Sequence, residues 1–354
     1  MPIPTEPIGS VPRTAELLAA MTAHAQGHID SEALRTATET AVAETIAAME
    51  ATGSPIVTDG EQSKSSFATY PLSGLDCLAP DGVVIPFKDA HTRQLPRLIK
   101  GPFRYAIYSG RFVEAARRYA KRPLKQAVIS PSALSLLYPA QGVAGYDRDQ
   151  FLADLAAESV NDIRSALNAG AASVQIDFTE GRLSVKLDPS RKLLRDFVAL
   201  INRVLANFTE AERRRIGVHT CPGGDHDSTH SADVDYAELL PDLFKIEAGS
   251  VFMQMASERD RPRIYELVRI YRRPEQRVFV GVTDPIDPVV ETPEVVRDRV
   301  LEAAGYLPAG HLGTTDDCGF APFGDDVSTA RETAFAKIKA RVDGTRLAEN
   351  VLGI

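Results

Sequence analysis

Cysteine is scarce in this chain: Cys77, Cys221 and Cys318 are the only three among 354 residues. So few thiols, so far apart, cannot build a disulfide framework. The expected setting is therefore a reducing cytoplasm, where thiols stay available to metal. Also missing is any apolar run long enough to span a membrane, and the opening MPIPTEPIGSVPRT shows no charged-then-apolar leader pattern. No block of basic residues stands out, and the net charge is −8. With nothing to neutralise a phosphate backbone, nucleic acid is excluded as a partner. The densest basic run, RYAKRPLK at 118–125, is expected to be a solvated helix end ahead of a strand. No Ser/Gly-rich or charged linker divides the chain. No GxGxxG follows the first strand, which lowers the case for an open, doubly wound sheet.

What is present is an alternation. Hydrophobic residues make up 44% and charged residues 25%, enough of each for one large soluble core. Eight short β-branched runs end in polar residues: EPIGSVP near Ser10, SPIVTDGE near Asp59, LKQAVISPS near Ser130, ASVQIDFTE near Asp177, RIGVHTC at His219 and Cys221, DLFKIEAG near Glu247, QRVFVGVTD near Asp284 and HLGTTDDCG near Cys318. Amphipathic helical stretches lie between them; 31–53 and 147–170 both end on a glycine, a usual helix stop. Strands alternating with helices imply a parallel sheet with right-handed crossovers. Eight such units in a chain of this length predict an α/β fold, a (β/α)₈ TIM barrel, forming a single domain over 1–354. One connection, 60–123, is unusually long and predicts a decorated loop after the second strand. Its stretches PLSGLDCLAPDGVVIPF and LPRLIKGPFRYAIY read as hairpin-like excursions, followed by a helix in VEAARRYAKRP. Loops of this length serve as lids or binding elements; this one is expected either to close over a substrate or to form the contact of a homo-oligomer.

In a TIM barrel the C-terminal strand ends converge on the face where chemistry sits. The polar residues at those ends are Ser10, Asp59, Glu61, Ser130, Asp177, Glu180, His219, Cys221, Glu247, Asp284, Asp317 and Cys318. His219 and Cys221 are two apart on one strand and point to the same side. With Glu247 and Cys318 from other strand ends they offer one nitrogen, two sulfurs and one oxygen, a tetrahedral Zn²⁺ set. Thiolate softness favours zinc over magnesium or iron. A site assembled from three strands on the active face points to catalysis, because structural zinc sites are usually local CxxC pairs. His226 and His230 compete as ligands, but they lie beyond Gly223 and Gly224 in a loop and are assigned to substrate or solvent.

With these residues in place, the chain resembles the C-terminal catalytic barrel of cobalamin-independent methionine synthase. The motifs that carry the resemblance are, in order, PIGSVPRT, TDGEQ, VQID, HTC, KIE, GVTDP and DDCGF. The resemblance implies a zinc ion held by His219, Cys221, Glu247 and Cys318. It implies homocysteine bound by Ile8 and Ser10 through its carboxylate and by Glu61 and Asp177 through its amino group. The activity it implies is a zinc-dependent S-methyltransferase: the metal deprotonates a small thiol, which attacks a methyl donor to give methionine. The partners are thus a small thiol and a methyl or alkyl donor.

The departures from that family lie on the donor side. Full-length members carry a second, N-terminal barrel that helps hold a polyglutamyl folate, and this sequence has no counterpart, so a single-barrel form is expected. The family stacks the pterin on a Trp; here there is none, and the matching stretch ISPSALSLLYP offers Leu137 or Tyr138. The family's proton-donating His is replaced by Ile286 in TDPIDP, which leaves Asp284 or Asp287, or His226 or His230, to take that role. An alternative with the same thiol chemistry resembles epoxyalkane:coenzyme M transferase, whose sulfonate acceptor calls for cations such as Arg93, Arg97, Lys100 and Arg104. A non-catalytic metal-binding barrel would leave Glu61 and Asp177 without a purpose. A zinc hydrolase is disfavoured because two thiolates quench the Lewis acidity that water activation needs.

Overall fold

The computed structural model describes residues 2–354. Six parallel strands form its main sheet: β1 (Lys125–Ile129), β2 (Ser173–Asp177), β3 (Ile216–Thr220), β4 (Ser250–Met253), β5 (Arg277–Thr283) and β6 (Leu312–Asp316), hydrogen-bonded in that order. Nearly every strand residue is buried, which is why the strands read as continuous apolar runs instead of alternating ones. At one edge Leu124 pairs in parallel with Val57; at the other Thr314 pairs in parallel with Thr5. Val11 N–H donates to Gly60 O at 3.2 Å, joining these two outer segments. Eight parallel segments therefore close into a (β/α)₈ barrel.

Helices follow the predicted pattern. Ser31–Ala51 and Arg148–Ala169 run as expected, the latter capped by a complete Asp147/Gln150 box and ended by Gly170 in the left-handed region. Lys192–Leu205, Arg261–Tyr271, Pro293–Ala304 and Arg331–Leu352 complete the outer layer with shorter pieces between.

Inside the barrel, Phe252 of β4 and Phe279 of β5 stack with centroids 4.3 Å apart. The space for them comes from Gly217 on β3 and Gly313 on β6: a Cβ there would lie 2.5 Å and 2.4 Å from these rings. Lys125 sits 3.6 Å over the Phe252 ring, donates to Pro7 O at 2.8 Å and faces Glu6 at 3.4 Å. The RYAKRPLK run is largely exposed over 118–123, the solvated helix end expected ahead of a strand; only its last residue, Lys125, departs by packing inside the barrel.

Two further expectations are corrected. DLFKIEAG is not the sixth strand. Its first two residues end a short helix, Leu240–Leu243, and the strand begins after it at Ser250. The apolar residues that imitate a strand, Leu243, Phe244 and Ile246, are buried in the turn leading up to β4, where Gln276 Nε2 binds the carbonyls of Ile246 and Ala248. In the 60–123 connection the two hairpin-like stretches are the two arms of one hairpin, with Leu78–Ala79 paired to Arg97–Leu98 and Val84–Pro86 to Thr92–Gln94. The helix that follows is Gly110–Ala116.

Candidate metal centre and substrate cavity

His219 is on β3 and points inward, as Gly217 does two residues earlier. Cys221 follows at the strand end, and Cys318 comes from just past β6. The three ligand atoms lie within 4.8 Å of one another. The two sulfurs are 3.1 Å apart, and both thiols are free. His219 is buried with no hydrogen-bond partner on either ring nitrogen. A buried imidazole left without partners is costly unless something else binds it. The Cys221 thiol, and then burial, pushes the Cys318 thiol well above its ordinary range; such a thiol becomes a thiolate only beside a cation. Soft sulfur, an unpartnered imidazole and convergence at a barrel mouth fit a thiophilic divalent metal.

The loop after β3 is shaped to surround these atoms. Gly223 has φ +71°, and a Cβ on it would lie 1.7 Å from His230 Nε2, so only glycine lets His230 pack there. His230 is buried, hydrogen-bonded through Nδ1 to Ser231 Oγ at 2.5 Å, and burial pushes its pKa down to about 4. It stays neutral and lines the cavity. His226 instead lies among Asp225, Asp326 and Arg93, away from the sulfurs.

Glu247 does not join the cluster. It precedes β4, at the end of the barrel opposite His219, is exposed, and faces Arg213 and Arg273 at 3.8 and 3.6 Å. The strand end that does adjoin Thr220 carries Gln254, whose backbone N–H donates to Thr220 O at 3.3 Å. The Gln254 side chain donates to Ser257 Oγ at 2.6 Å and leaves Oε1 buried without a partner.

A cavity of about 530 Å³ opens over the barrel mouth. Its floor holds Ile8, Ser10, Glu61, Asp177, Glu180, His219 and Cys318; of the residues predicted for substrate and metal, only Cys221, beneath it, and Glu247 do not line it. Glu61 is held at φ +58°, an uncommon backbone state for a residue with a side chain. Its Oε1 accepts from Lys64 Nζ at 2.9 Å, and Oε2 is buried and free. Asp177 ends β2, accepts from Gln175 Nε2 at 2.6 Å, and burial raises its pKa to about 6. The mouth is apolar: Leu18, Met21, Phe67, Ile85, Phe87 and Phe323.

Sequence reasoning missed two buried cations that hold this rim. Arg13 donates to the carbonyls of Glu61, Lys64, Ala321 and Phe323, tying the first strand to the loops after the second and eighth barrel strands. Lys64 also donates to Ala127 O at 2.9 Å. Arg13 lies in PIGSVPRT, and Lys64 stands two residues beyond TDGEQ; a cation among strand-end acids was the available signal. Asp284 and Asp287 are not among the cavity residues. The first accepts from Ile286 N, and the second, exposed, from Val289 N. Leu137 is fully buried, and Tyr138 stacks on Phe151 at 5.4 Å; neither lines the cavity.

The family model described as "Cobalamin-independent synthase, Catalytic domain" matches residues 3–344. The chain belongs to this family. It is a cobalamin-independent methionine-synthase-like catalytic domain. A 5-methyltetrahydropteroyltriglutamate–homocysteine methyltransferase of Nitratidesulfovibrio vulgaris is 24% identical over 90% of this chain and 38% of its own length. A methionine synthase of Sulfurisphaera tokodaii is 22% identical over 99% and 94%. The solved B12-independent methionine synthase of Shewanella sp. W3-18-1, in complex with selenomethionine, superposes with a TM-score of 0.78 at 19% identity over the whole of both chains. Among the described residues no helix is long and apolar enough to cross a membrane.

Proposed function

We propose that this protein is a zinc-dependent S-methyltransferase that alkylates a small thiol, homocysteine in the simplest case, to give methionine. The single observation that carries the reading is the meeting of His219, Cys221 and Cys318 around one point, beside a cavity floored by acids. His219, Cys221 and Cys318 would hold the zinc, which supplies a substrate thiol in its thiolate form at neutral pH. Glu61 Oε2 and Asp177 are the acceptors for the substrate ammonium, and Ser10 with the backbone of Ile8–Ser10 receives its carboxylate. Lys64 balances one of the two acids, so the floor keeps net negative charge for a cationic amino group. The apolar mouth excludes water from the alkyl transfer and aligns the two reactants. The same fold holds selenomethionine in the Shewanella protein, which agrees with an amino-acid thioether as product.

The epoxide-opening alternative asks for free cations. Arg93 is bound to Asp225 and Asp325, Arg97 to Asp81, Lys100 to Asp76, and Arg104 to Asp154. Each already has a carboxylate, so a sulfonate acceptor gains nothing from them, and homocysteine is the better-supported thiol.

The test is X-ray absorption at the zinc edge with and without homocysteine. Zinc bound at about one per chain, with an additional sulfur on thiol addition, is the expected result. A protein that binds no zinc, or a metal shell indifferent to every thiol, overturns the reading.

A further inference from the structure

Glu180 is a buried acid that the proposed chemistry does not yet use. It opens the short helix Glu180–Leu187 after β2 and is 4% exposed, yet lines the cavity. Its two oxygens are unlike. Oε1 accepts two hydroxyls, Ser130 Oγ and Ser132 Oγ, each at 2.5 Å, from the N-cap and first turn of the short helix Pro131–Ser135 after β1. Oε2 is buried and has no partner. Ser130 Oγ also accepts from Ala133 N at 3.0 Å and lies 3.2 Å from Ser132 Oγ, so the two hydroxyls are held side by side.

That asymmetry decides where a proton sits. Two donors occupy Oε1, so a neutral Glu180 carries its O–H on Oε2. A carboxyl so placed is a hydrogen-bond donor with nothing in the protein to donate to. Burial raises its pKa to about 7, the two serines oppose the shift, and the nearby Asp177 adds to it. A neutral acid with an uncommitted O–H, on a residue that lines the cavity, is what general acid catalysis requires.

We propose that Glu180 Oε2 is the general acid that protonates the leaving atom of the alkyl donor, and that the donor is accordingly one whose leaving atom is nitrogen or oxygen. This rests on the thiol-alkylation reading above. The substrate thiol has lost its proton to solvent on binding. As its S–C bond forms, the bond from carbon to the leaving atom breaks, and that atom keeps the electron pair and takes the Oε2 proton. Glu180 is left as a carboxylate, held by Ser130 and Ser132, and recovers a proton from solvent when product leaves. The balance is thiol plus alkyl donor giving thioether plus protonated leaving group. It fills the gap left by Ile286 and by Asp284 and Asp287, which are not among the cavity residues.

The test uses Glu180→Gln, whose amide oxygen still accepts both serines. Zinc-loaded wild type and variant are given homocysteine with two kinds of probe donor: 5-methyltetrahydrofolate and propylene oxide, whose leaving atoms need a proton, and trimethylsulfonium, whose leaving sulfide does not. The variant is expected to lose roughly 10²–10⁴-fold with the first kind and only a few-fold with trimethylsulfonium, at unchanged zinc content. Equal losses with both kinds, or no loss with either, overturn the proposal. A second measurement stands apart from turnover: infrared difference spectra, wild type minus variant, near pH 6. A protonated-carboxyl carbonyl band is expected, and its absence overturns the assignment of Glu180 as an acid. If the band is present but wild type alkylates homocysteine from none of the probes, it is the thiol-alkylation reading that fails, and the general-acid role fails with it.

Discussion

The two ends of the barrel treat buried charge differently. Near the bottom, Lys125 has a carbonyl, the face of Phe252 and the carboxylate of Glu6 around it. Burial lowers its pKa to about 8, with Glu6 opposing the shift. The carbonyl, the ring and the carboxylate all answer the charge, and the lysine is a structural plug. At the top, Glu61, Glu180 and His219 are equally buried but keep polar atoms with no partner. Leaving a buried donor or acceptor unpaired costs about 1–3 kcal/mol, so a rim that carries several is built for something that arrives later. The bottom also keeps unpaired atoms, Glu6 Oε2 among them, but only at the top do they belong to residues that line a cavity open to metal and substrate.

The sharpest way to break this comparison is to move a ligand from one end to the other. Cys221→Ser or Cys318→Ser is expected to abolish stoichiometric zinc and all thiol alkylation. Glu247→Gln, at the opposite end, is expected to leave zinc content unchanged. Metal analysis of purified variants checks both. Loss of zinc in Glu247→Gln would place a functional carboxylate where the structure has a surface ion pair.

Next in size is the one buried pair that spans both characters. Lys64 and Glu61 are both almost completely buried, and removing one partner of such a pair costs about 3–5 kcal/mol. Lys64→Met is expected to lower stability by that order in urea unfolding and to weaken homocysteine binding, because Glu61 loses the partner that holds its Oε1 in place. A Lys64→Met protein with wild-type stability and homocysteine affinity would show that the pair does not hold the rim.

How much of this was legible in the sequence follows from where each signal is stored. His219 and Cys221 lie two apart on a strand whose apolar run is unmistakable, so local periodicity alone aimed them at one place. Cys318 and Asp177 likewise end clean strands. Glu247 failed because Leu243, Phe244, Ile246 and Ala248 bury their side chains in a turn, and burial in a turn leaves the same apolar trace as burial in a strand. The error of one short segment carried the acid to the wrong end of the barrel. Arg13 and Lys64 were invisible for another reason. A buried cation held by distant carbonyls leaves no periodic mark, since its partners come from segments far apart in the chain. The single hairpin within 60–123 was read as two because its arms meet only through long-range pairing.

Glu180 allows a finer comparison through pH. Its ordinary value is 4.5 and its folded value about 7, so between these the folded protein holds more proton than the unfolded chain. Stability from this group is fully present below about pH 4.5 and is lost as pH rises through 7. At ~1.4 kcal/mol per unit the loss is on the order of 3 kcal/mol. Glu180→Gln cannot titrate there, so the difference in urea stability between variant and wild type is expected to grow in the variant's favour from pH 5 to pH 8. A pH-independent difference would mean that Glu180 is already ionised in the fold.

The smallest effect is expected from the acids that the sequence offered for proton transfer. Asp287 is exposed and only caps Val289 N at 2.9 Å; Asp287→Ala is expected to change stability by about 0.5 kcal/mol or less and alkylation by less than a few-fold. Asp284 accepts from Ile286 N at 3.0 Å and is not among the cavity residues, so Asp284→Asn should slow the reaction less than Glu180→Gln does. Parallel rate measurements on the three variants rank them directly. If Asp284→Asn proved the slowest, the loop at 284–291 would have to reach the reacting atoms during turnover, and the division between a satisfied part of the rim and a waiting one would have to be redrawn to include it.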